Sequence, residues 1–545
     1  MDLKIRLWLP VLPLLLSGLT EAVAQDGFGD RQAEWLAKSE ACRPILHERT
    51  VKPTGLVELR ENPNAFQKSE MIPAGTMDRL YDESAKKMSG VIVDFGEHMT
   101  GHFSCRFELL NSHTSEAPVR LKFTFVEVPG ELSVPSDPYP GTLSRAWIQD
   151  EVVTVDYIPN EITIPRRLAF RYVKIEVMAH SYFDFRIADM SVTARTSASA
   201  TPEPLAPGTP DMIAEIDRVG LATLRECMQT VYEDGPKRDL RLWIGDLYLE
   251  ALANMYSYRN HDLTKRCLYL LAGLADEEGF LHASVFDKPA PHPETGQHIL
   301  DYALLWNTSL LDYLRATGDR DTALDLWPVA RRQLEIARTY LNDQLLYNEK
   351  PVWIFFDWRS GFDPRAALQG LLVKTFRDTY ELARMLGKQQ EVDYVPALAN
   401  KIVRATRKQL YDARTGLVVS GPDKQISYVS QVWAVLGDIL TPAEAQRALK
   451  TVMQTPDAVY PGTPYATHFL IEAMLHCGMV GEAKDYLVGY WGDMVRKKAD
   501  TFWEVYDAHD DYLSPYNFFP INSYCHAWSC TPVYFIRKYP EIFQR

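Results

Sequence analysis

The sequence predicts a multi-domain, mainly α chain: an antiparallel β-sandwich or jelly roll over residues 25–200, then an (α/α)6 toroid of six helical hairpins over residues 211–545. Three observations predict this. The first part consists of short alternating runs rich in β-branched and aromatic residues, with turn residues between them. The stretch Thr201-Pro-Glu-Pro-Leu-Ala-Pro-Gly-Thr-Pro210 then packs four prolines into ten residues, which marks a stiff linker at 201–210. Beyond it the apolar period changes from two to about 3.6.

Taken in order, residues 1–24 have the form of a secretory leader, with Lys4 and Arg6 as a basic start, an apolar stretch from Leu7 to Leu16 and a small-residue cleavage site at Ala22-Val-Ala24. The mature chain is therefore expected to be exported, periplasmic or extracellular. No later segment reaches the roughly 18 apolar residues of a membrane span. The strand-like runs are Gly90 to Phe95, Gly101 to Leu109, Val119 to Val126, Glu151 to Tyr157 and Arg171 to Val177. Helical patterns follow near 211–231, 242–258, 261–275, 299–317, 321–343, 365–387, 392–412, 428–439, 441–454, 464–478, 480–497 and 526–538. Twelve helices joined by alternating short and long loops suggest a closed ring of hairpins. A fixed repeat of about 34 residues, the mark of an open helical solenoid, is absent.

Composition excludes some functions. The formal net charge is -14 and no Lys/Arg run is long enough to track a phosphate backbone, which argues against nucleic acid as a partner. Twelve Trp and 28 Tyr are many for 545 residues, and aromatic platforms are one way to hold the apolar faces of sugars. The seven cysteines (Cys42, Cys105, Cys227, Cys267, Cys477, Cys525 and Cys530) are odd in number and scattered, with Cys525 and Cys530 the pair close enough in sequence to consider. No Cys/His cluster has metal-ligand spacing, so neither cofactor nor metal is expected. Asp507, Asp510 and Asp511 lack the spacing of a calcium loop. Asn307-Thr-Ser is a sequon.

In a toroid the long loops gather at one end, and here they carry the charged and aromatic clusters. The densest are Asp234-Gly-Pro-Lys-Arg-Asp-Leu-Arg-Leu-Trp-Ile-Gly-Asp246 and the stretch that begins Thr501-Phe-Trp-Glu504 and ends Asn522-Ser-Tyr-Cys-His-Ala-Trp528. A purely structural ion network of Lys237, Arg238 and Arg241 with the three aspartates is one reading of the first cluster. The chemical reading is glycoside hydrolysis, which needs one carboxylic acid to protonate the leaving oxygen and a second carboxylate to activate water or attack directly. Asp239 and Glu504 form the natural catalytic pair, one on each cluster. Asp234, Arg238, Trp243, Asp246, Trp358, Trp503 and His526 are the candidate substrate-binding residues.

These motifs resemble those of the α-L-rhamnosidases of glycoside hydrolase family 78, whose signature is Asp-Cys-Pro-x-Arg-(Asp/Glu) followed by Gly-Trp-x-Gly-Asp. Asp234, Pro236, Arg238, Asp239, Trp243, Gly245 and Asp246 match it. Asp94-Phe-Gly-Glu-His-Met-Thr-Gly101 and Phe170-Arg-Tyr-Val173 resemble strands of the family's accessory β domain, Asp500-Thr-Phe-Trp-Glu504 its base-bearing segment, and Ser523-Tyr-Cys-His-Ala-Trp-Ser529 its last helix start. The resemblance implies an exo-acting, inverting hydrolase that releases a terminal α-L-rhamnose-type sugar from a glycan or glycoside. Asp239 would be the general acid and Glu504 the base. Two departures stand out: the acid is usually Glu, one C–C bond or roughly 1.5 Å longer, and the family's Cys and first Gly are Gly235 and Leu242 here.

Two other readings stay open from the residues themselves. Lys237, Arg238 and Arg241 could pair the carboxylate of a uronic acid, giving a hydrolase, or a lyase with His526 and Tyr524 as base candidates. An Asp in place of Glu also fits a carbohydrate-binding protein whose catalysis has decayed.

Overall fold

The strand Val91–Leu109 is long enough, at 19 residues, to serve several partners, and the N-terminal part is built around it. A computed structural model describes residues 28–87, 90–111, 114–180 and 182–545; the predicted leader at 1–24 lies outside them. The strands are β1 (His47–Val51), β2 (Gly55–Glu61), β3 (Ser69–Gly75), β4 (Val91–Leu109), β5 (Val119–Val126), β6 (Asp150–Val155), β7 (Asn160–Thr163), β8 (Leu168–Ala179) and β9 (Phe185–Thr196). They form one antiparallel sheet ordered β1-β9-β4-β8-β5-β6, with β2 and β7 also pairing with β4 and β3 with β2. The first half of β4 pairs with β2 and the second with β7, so one strand links both regions. Alternation fixes the inner face: along β5, Val119, Leu121, Phe123 and Phe125 point inward. There Phe103, Phe125 and Phe170 meet at ring distances of 5.2 and 4.7 Å.

The helical part starts at α3 (Asp211–Cys227), after α1 (Phe28–Ala41) and the short α2 (Met77–Asp82). It continues through α4 (Ile244–Met255), α5 (His261–Gly273), α6 (Leu300–Thr317), α7 (Arg320–Arg338), α8 (Arg365–Leu386), α9 (Val395–Leu410), α10 (Tyr428–Leu436), α11 (Pro442–Met453), α12 (Pro464–His476), α13 (Val480–Arg496), α14 (Pro532–Lys538) and α15 (Pro540–Phe543). The inner ring runs through contacts of α4 with α6, α6 with α8, α8 with α10 and α10 with α12; the turn Ala527–Cys530 ahead of α14 touches both α12 and α4 and closes it. Inner helices such as α4, α10 and α12 are buried on nearly every side, whereas the outer α9 and α11 bury one stripe. Pro442 at the first position of α11, with Thr441 and Glu444 closing a capping box, shows how local chemistry sets these boundaries.

One expectation is revised and two open points are answered. Residues 28–41, read with the β domain, form a helix that packs on α5 and inserts Trp35 into the toroid core. The sequon residue Asn307 is fully buried and donates to Ala330 O and Thr379 Oγ1, so it has no room for a glycan. Cys525 does not pair with Cys530: all seven cysteines are free, and the Sγ atoms of Cys227 and Cys525 approach to 4.0 Å.

The two parts are joined by charge. Arg171 on β8 grips Asp94 of β4 with two hydrogen bonds of 2.9 Å, and its remaining Nη1 reaches both oxygens of Asp500 at 2.8 and 2.6 Å. Asp500 opens the segment that ends in Glu504. This arrangement needs a planar fork, which lysine lacks. Because the three side chains are partly exposed, Arg171→Ala is expected to remove about 1–2 kcal/mol. Calorimetry should register this as a fall of a few degrees in melting temperature, and Arg171→Lys should not restore it.

Candidate active site

Asp234 folds the first charged loop around itself. Its carboxylate accepts the backbone N–H groups of Asp239 (3.2 Å) and Arg241 (3.4 Å), and its own carbonyl accepts Ala527 N at 2.7 Å. The loop packs so closely that a Cβ on Gly235 would lie 2.4 Å from Arg238 O and 2.6 Å from Ser523 Oγ. That contact leaves no space for the family's cysteine at this position. Gly245 is required for a similar reason, since a Cβ there would sit 2.4 Å from the Tyr302 ring. Trp243 is thereby held edge-on to Tyr302, at 6.4 Å, as the residue preceding α4.

The second cluster is a short extended pairing. Glu504 N donates to Ser523 O at 3.0 Å and His526 N to Phe502 O at 2.9 Å, while Trp528 Nε1 holds the Glu504 carbonyl at 2.9 Å. Glu504 lines the cleft and Trp503 does not. Trp503 is buried against Phe66 of the N-terminal domain, ring to ring at 4.0 Å, and does not belong with the substrate-binding residues.

The cleft has an empty volume of about 370 Å3 and is lined by Asp234, Arg238, Asp239, Trp243, Asp246, Glu504 and His526, with Trp358 at its mouth. Aromatic side chains complete it: Tyr302, Phe355, Trp353, Tyr516 and Trp528, together with Ile299. Sequence reading named Trp528 only within the segment around His526 and did not single out the others. Asp357 anchors its loop by accepting Gly462 N and Thr463 Oγ1, both at 2.7 Å, and so presents Trp358. His282 and His298 stack on each other at 4.7 Å outside the cleft. Asp507 is engaged by Arg359 and Tyr460, and among the described residues no group of three or more His, Cys, Asp or Glu is arranged to hold a metal ion.

The cations are committed elsewhere. Lys237 is buried under the loop, bound to Glu131 of the N-terminal domain and to Pro520 O and Asn522 O at 2.9 Å. Arg241 pairs with Glu294 and lies 4.5 Å over the Phe286 ring. Arg238 donates to Glu504 and, from Nε, to Ile521 O at 3.1 Å, with Asp239 Oδ1 3.5 Å from its Nη1. Each already pairs with a carboxylate of the protein, which weighs against the uronic acid reading. The hydroxyl of Tyr524, the other lyase candidate, donates to Phe519 O and accepts from Gln67 Nε2.

The carboxyls sit in contrasting fields. Burial alone would raise Glu504, but the Arg238 guanidinium and the Tyr516 hydroxyl outweigh it and hold it below the usual glutamate range. Asp246 is pushed well above the carboxylate range by burial and by the Asp234 and Glu504 charges, and Asp234 by burial and Asp239. Asp239 is the most open of the set, its side chain 16% exposed against 2% for Glu504. Asp246 Oδ1 and His526 Nδ1, buried in the cleft wall, face each other at 3.5 Å and have no other polar partner within hydrogen-bond distance. Polar atoms so placed suit a ligand rich in hydroxyl groups.

The chain matches known proteins over nearly its full length. Residues 53–194 match the glycosyl hydrolase family 78 α-rhamnosidase N-terminal domain, and residues 209–539 the bacterial α-L-rhamnosidase six-hairpin glycosidase domain. A rhamnosidase from Klebsiella oxytoca, solved with rhamnose bound, is 38% identical with a TM-score of 0.90, over 93% of this chain and 99% of that one. The family 78 rhamnosidase of Bacillus sp. GL1 has 21% identity and a TM-score of 0.67, over 82% of this chain and 46% of that one. The Streptomyces avermitilis α-L-rhamnosidase complexed with L-rhamnose has 15% and 0.64, over 91% and 44%. The last two are likenesses of fold, to proteins about twice as long. No curated protein sequence matches the chain.

Burial depresses the His526 imidazole to about 3, so it is essentially neutral across the neutral pH range. Its ring resonances, followed by NMR between pH 4 and pH 8, are expected to stay flat. A midpoint near the ordinary value of about 6.5 would contradict the burial described here.

Proposed function

The chain belongs to the α-L-rhamnosidases of glycosyl hydrolase family 78 and is a hydrolase of rhamnose glycosides; on that premise we propose that it acts from the chain end, with inversion, using Asp239 as general acid and Glu504 as general base. The observation that carries the assignment is the contrast between the two carboxyls. Glu504 is buried and kept ionised by Arg238, as a base requires. Asp239 lines the same cleft from its more open side, where a leaving oxygen would lie.

The terminal sugar would occupy the closed end of the cleft, its ring against Trp243, Phe355 and Trp528 and its hydroxyls on Asp234, Asp246, Arg238 and His526. Trp353 and Trp358, respectively 40% and 36% exposed, flank the way out for the aglycone. As the glycosidic bond breaks, Asp239 gives its proton to the leaving oxygen. Glu504 takes a proton from the water that attacks the anomeric carbon from the opposite face. Bulk water then restores both protonation states. The leader-like residues 1–24 support export.

The product released first from an aryl α-L-rhamnoside, observed by proton NMR, is expected to be β-L-rhamnose; α-L-rhamnose would overturn the inverting assignment. Glu504→Gln is expected to lose roughly 10²–10⁴-fold on every substrate. Asp239→Asn should lose far less on p-nitrophenyl rhamnoside, whose leaving group needs little protonation, than on a rhamnoside of an unactivated alcohol. Equal losses on both would remove Asp239 from the acid role.

A further inference from the structure

Glu504 is held by more than Arg238. One oxygen, Oε2, accepts both Arg238 and the backbone N–H of Ser523, the latter at 3.1 Å. The other, Oε1, accepts the hydroxyl of Tyr516, whose ring lies 4.5 Å from the Arg238 guanidinium carbon and 6.0 Å from Trp358. A carboxylate oxygen offers about two lone-pair sites. With Oε2 filled and one Oε1 site given to Tyr516, a single in-plane site on Oε1 is left to receive a proton from water.

Tyr516 is in turn gripped by the N-terminal domain. Thr142 N donates to Tyr516 O at 3.0 Å. Ile148 packs with Tyr516, Phe518 and Ile521 in a small apolar cluster of their own. The segment between β5 and β6 thus reaches across to a loop of the toroid.

We propose that Tyr516 is a positioning residue for hydrolysis, its hydroxyl aiming Oε1 of Glu504 and stabilising the carboxylate, and that the segment 133–148 of the N-terminal domain holds Tyr516 in place. This inference rests on Glu504 being the base. The other titratable groups facing Glu504 are Arg238 from the loop before α4, Asp246 from α4, and Tyr524 and His526 from the segment paired with it. Among them Tyr516 alone donates to Oε1.

The test compares pH profiles of kcat/KM for wild type, Tyr516→Phe, Ile148→Ala and Glu504→Gln on an aryl α-L-rhamnoside, with melting temperatures to show that each variant is folded. Tyr516→Phe keeps the ring on Arg238 but removes the donor. The base should then be less acidic, so the acidic limb should move to higher pH by up to about one unit while plateau kcat falls roughly 10–100-fold. Ile148→Ala, which loosens the grip without touching the cleft, should move the limb in the same direction by less. A wild-type limb in Tyr516→Phe would overturn the positioning role, and a wild-type limb in Ile148→Ala would overturn the part given to the N-terminal domain. An active Glu504→Gln would instead bring down the functional reading, so the two failures are distinguishable.

Discussion

A buried charge must be matched, and the Arg238–Glu504 ion pair is where this protein meets that demand. Both side chains are nearly inaccessible, at 3% and 2% exposed. Removing either ion from water costs several kcal/mol, recovered only if the geometry is close and every remaining lone pair and N–H is satisfied. Here most are: Arg238 Nε donates to Ile521 O, the Tyr516 hydroxyl and Ser523 N donate to Glu504, and the Tyr516 ring covers the guanidinium face, with one site on Glu504 Oε1 left open. On the proposed reading, the glutamate kept ionised in the cleft would serve as the base and Asp239, on the more open side, as the acid.

The N-terminal sheet serves the same requirement. Glu131 neutralises Lys237 beneath the loop that carries Arg238 and Asp239, and Glu127 accepts Tyr524 N on the segment paired with Glu504. Arg171 fastens the start of the Glu504 segment from outside. The sheet thus contributes to the cleft chiefly by fixing the loops around it. Removing one partner of such a buried pair strands the other, at roughly 3–5 kcal/mol, which explains why the two halves share charges across their interface.

Legibility in the sequence follows how strongly each element is constrained by its neighbours in the chain. The helices read clearly because their apolar residues recur at helical spacing and their ends carry Pro, Thr and Gly, as at Thr441-Pro442 before α11 and Gly387 after α8. β1 did not, since four of its five residues are exposed and show no alternation. The helix Phe28–Ala41 was missed because its charged surface conceals a short buried edge at Trp35 and Leu36. Within the cleft, Asp234, Arg238, Trp243 and Asp246 were legible because one compact motif holds them. Tyr302 and Phe355 were not: each sits in an apolar stretch whose direction depends on a distant partner. Trp503 was misread because its partner, Phe66, comes from the N-terminal domain more than 400 residues earlier in the chain and leaves no mark beside it.

The central claim is that one sugar is held between a more open acid, Asp239, and a buried base, Glu504. The most direct test is a crystal structure of the wild-type protein with a sulfur-linked α-L-rhamnoside, which binds without being cleaved. The account predicts the sulfur against the Asp239 carboxyl and, on the far face of the ring, a water held by Glu504 in line with the anomeric carbon. A water held there by Asp234 or Asp246, or Glu504 bound only to sugar hydroxyls, would contradict it.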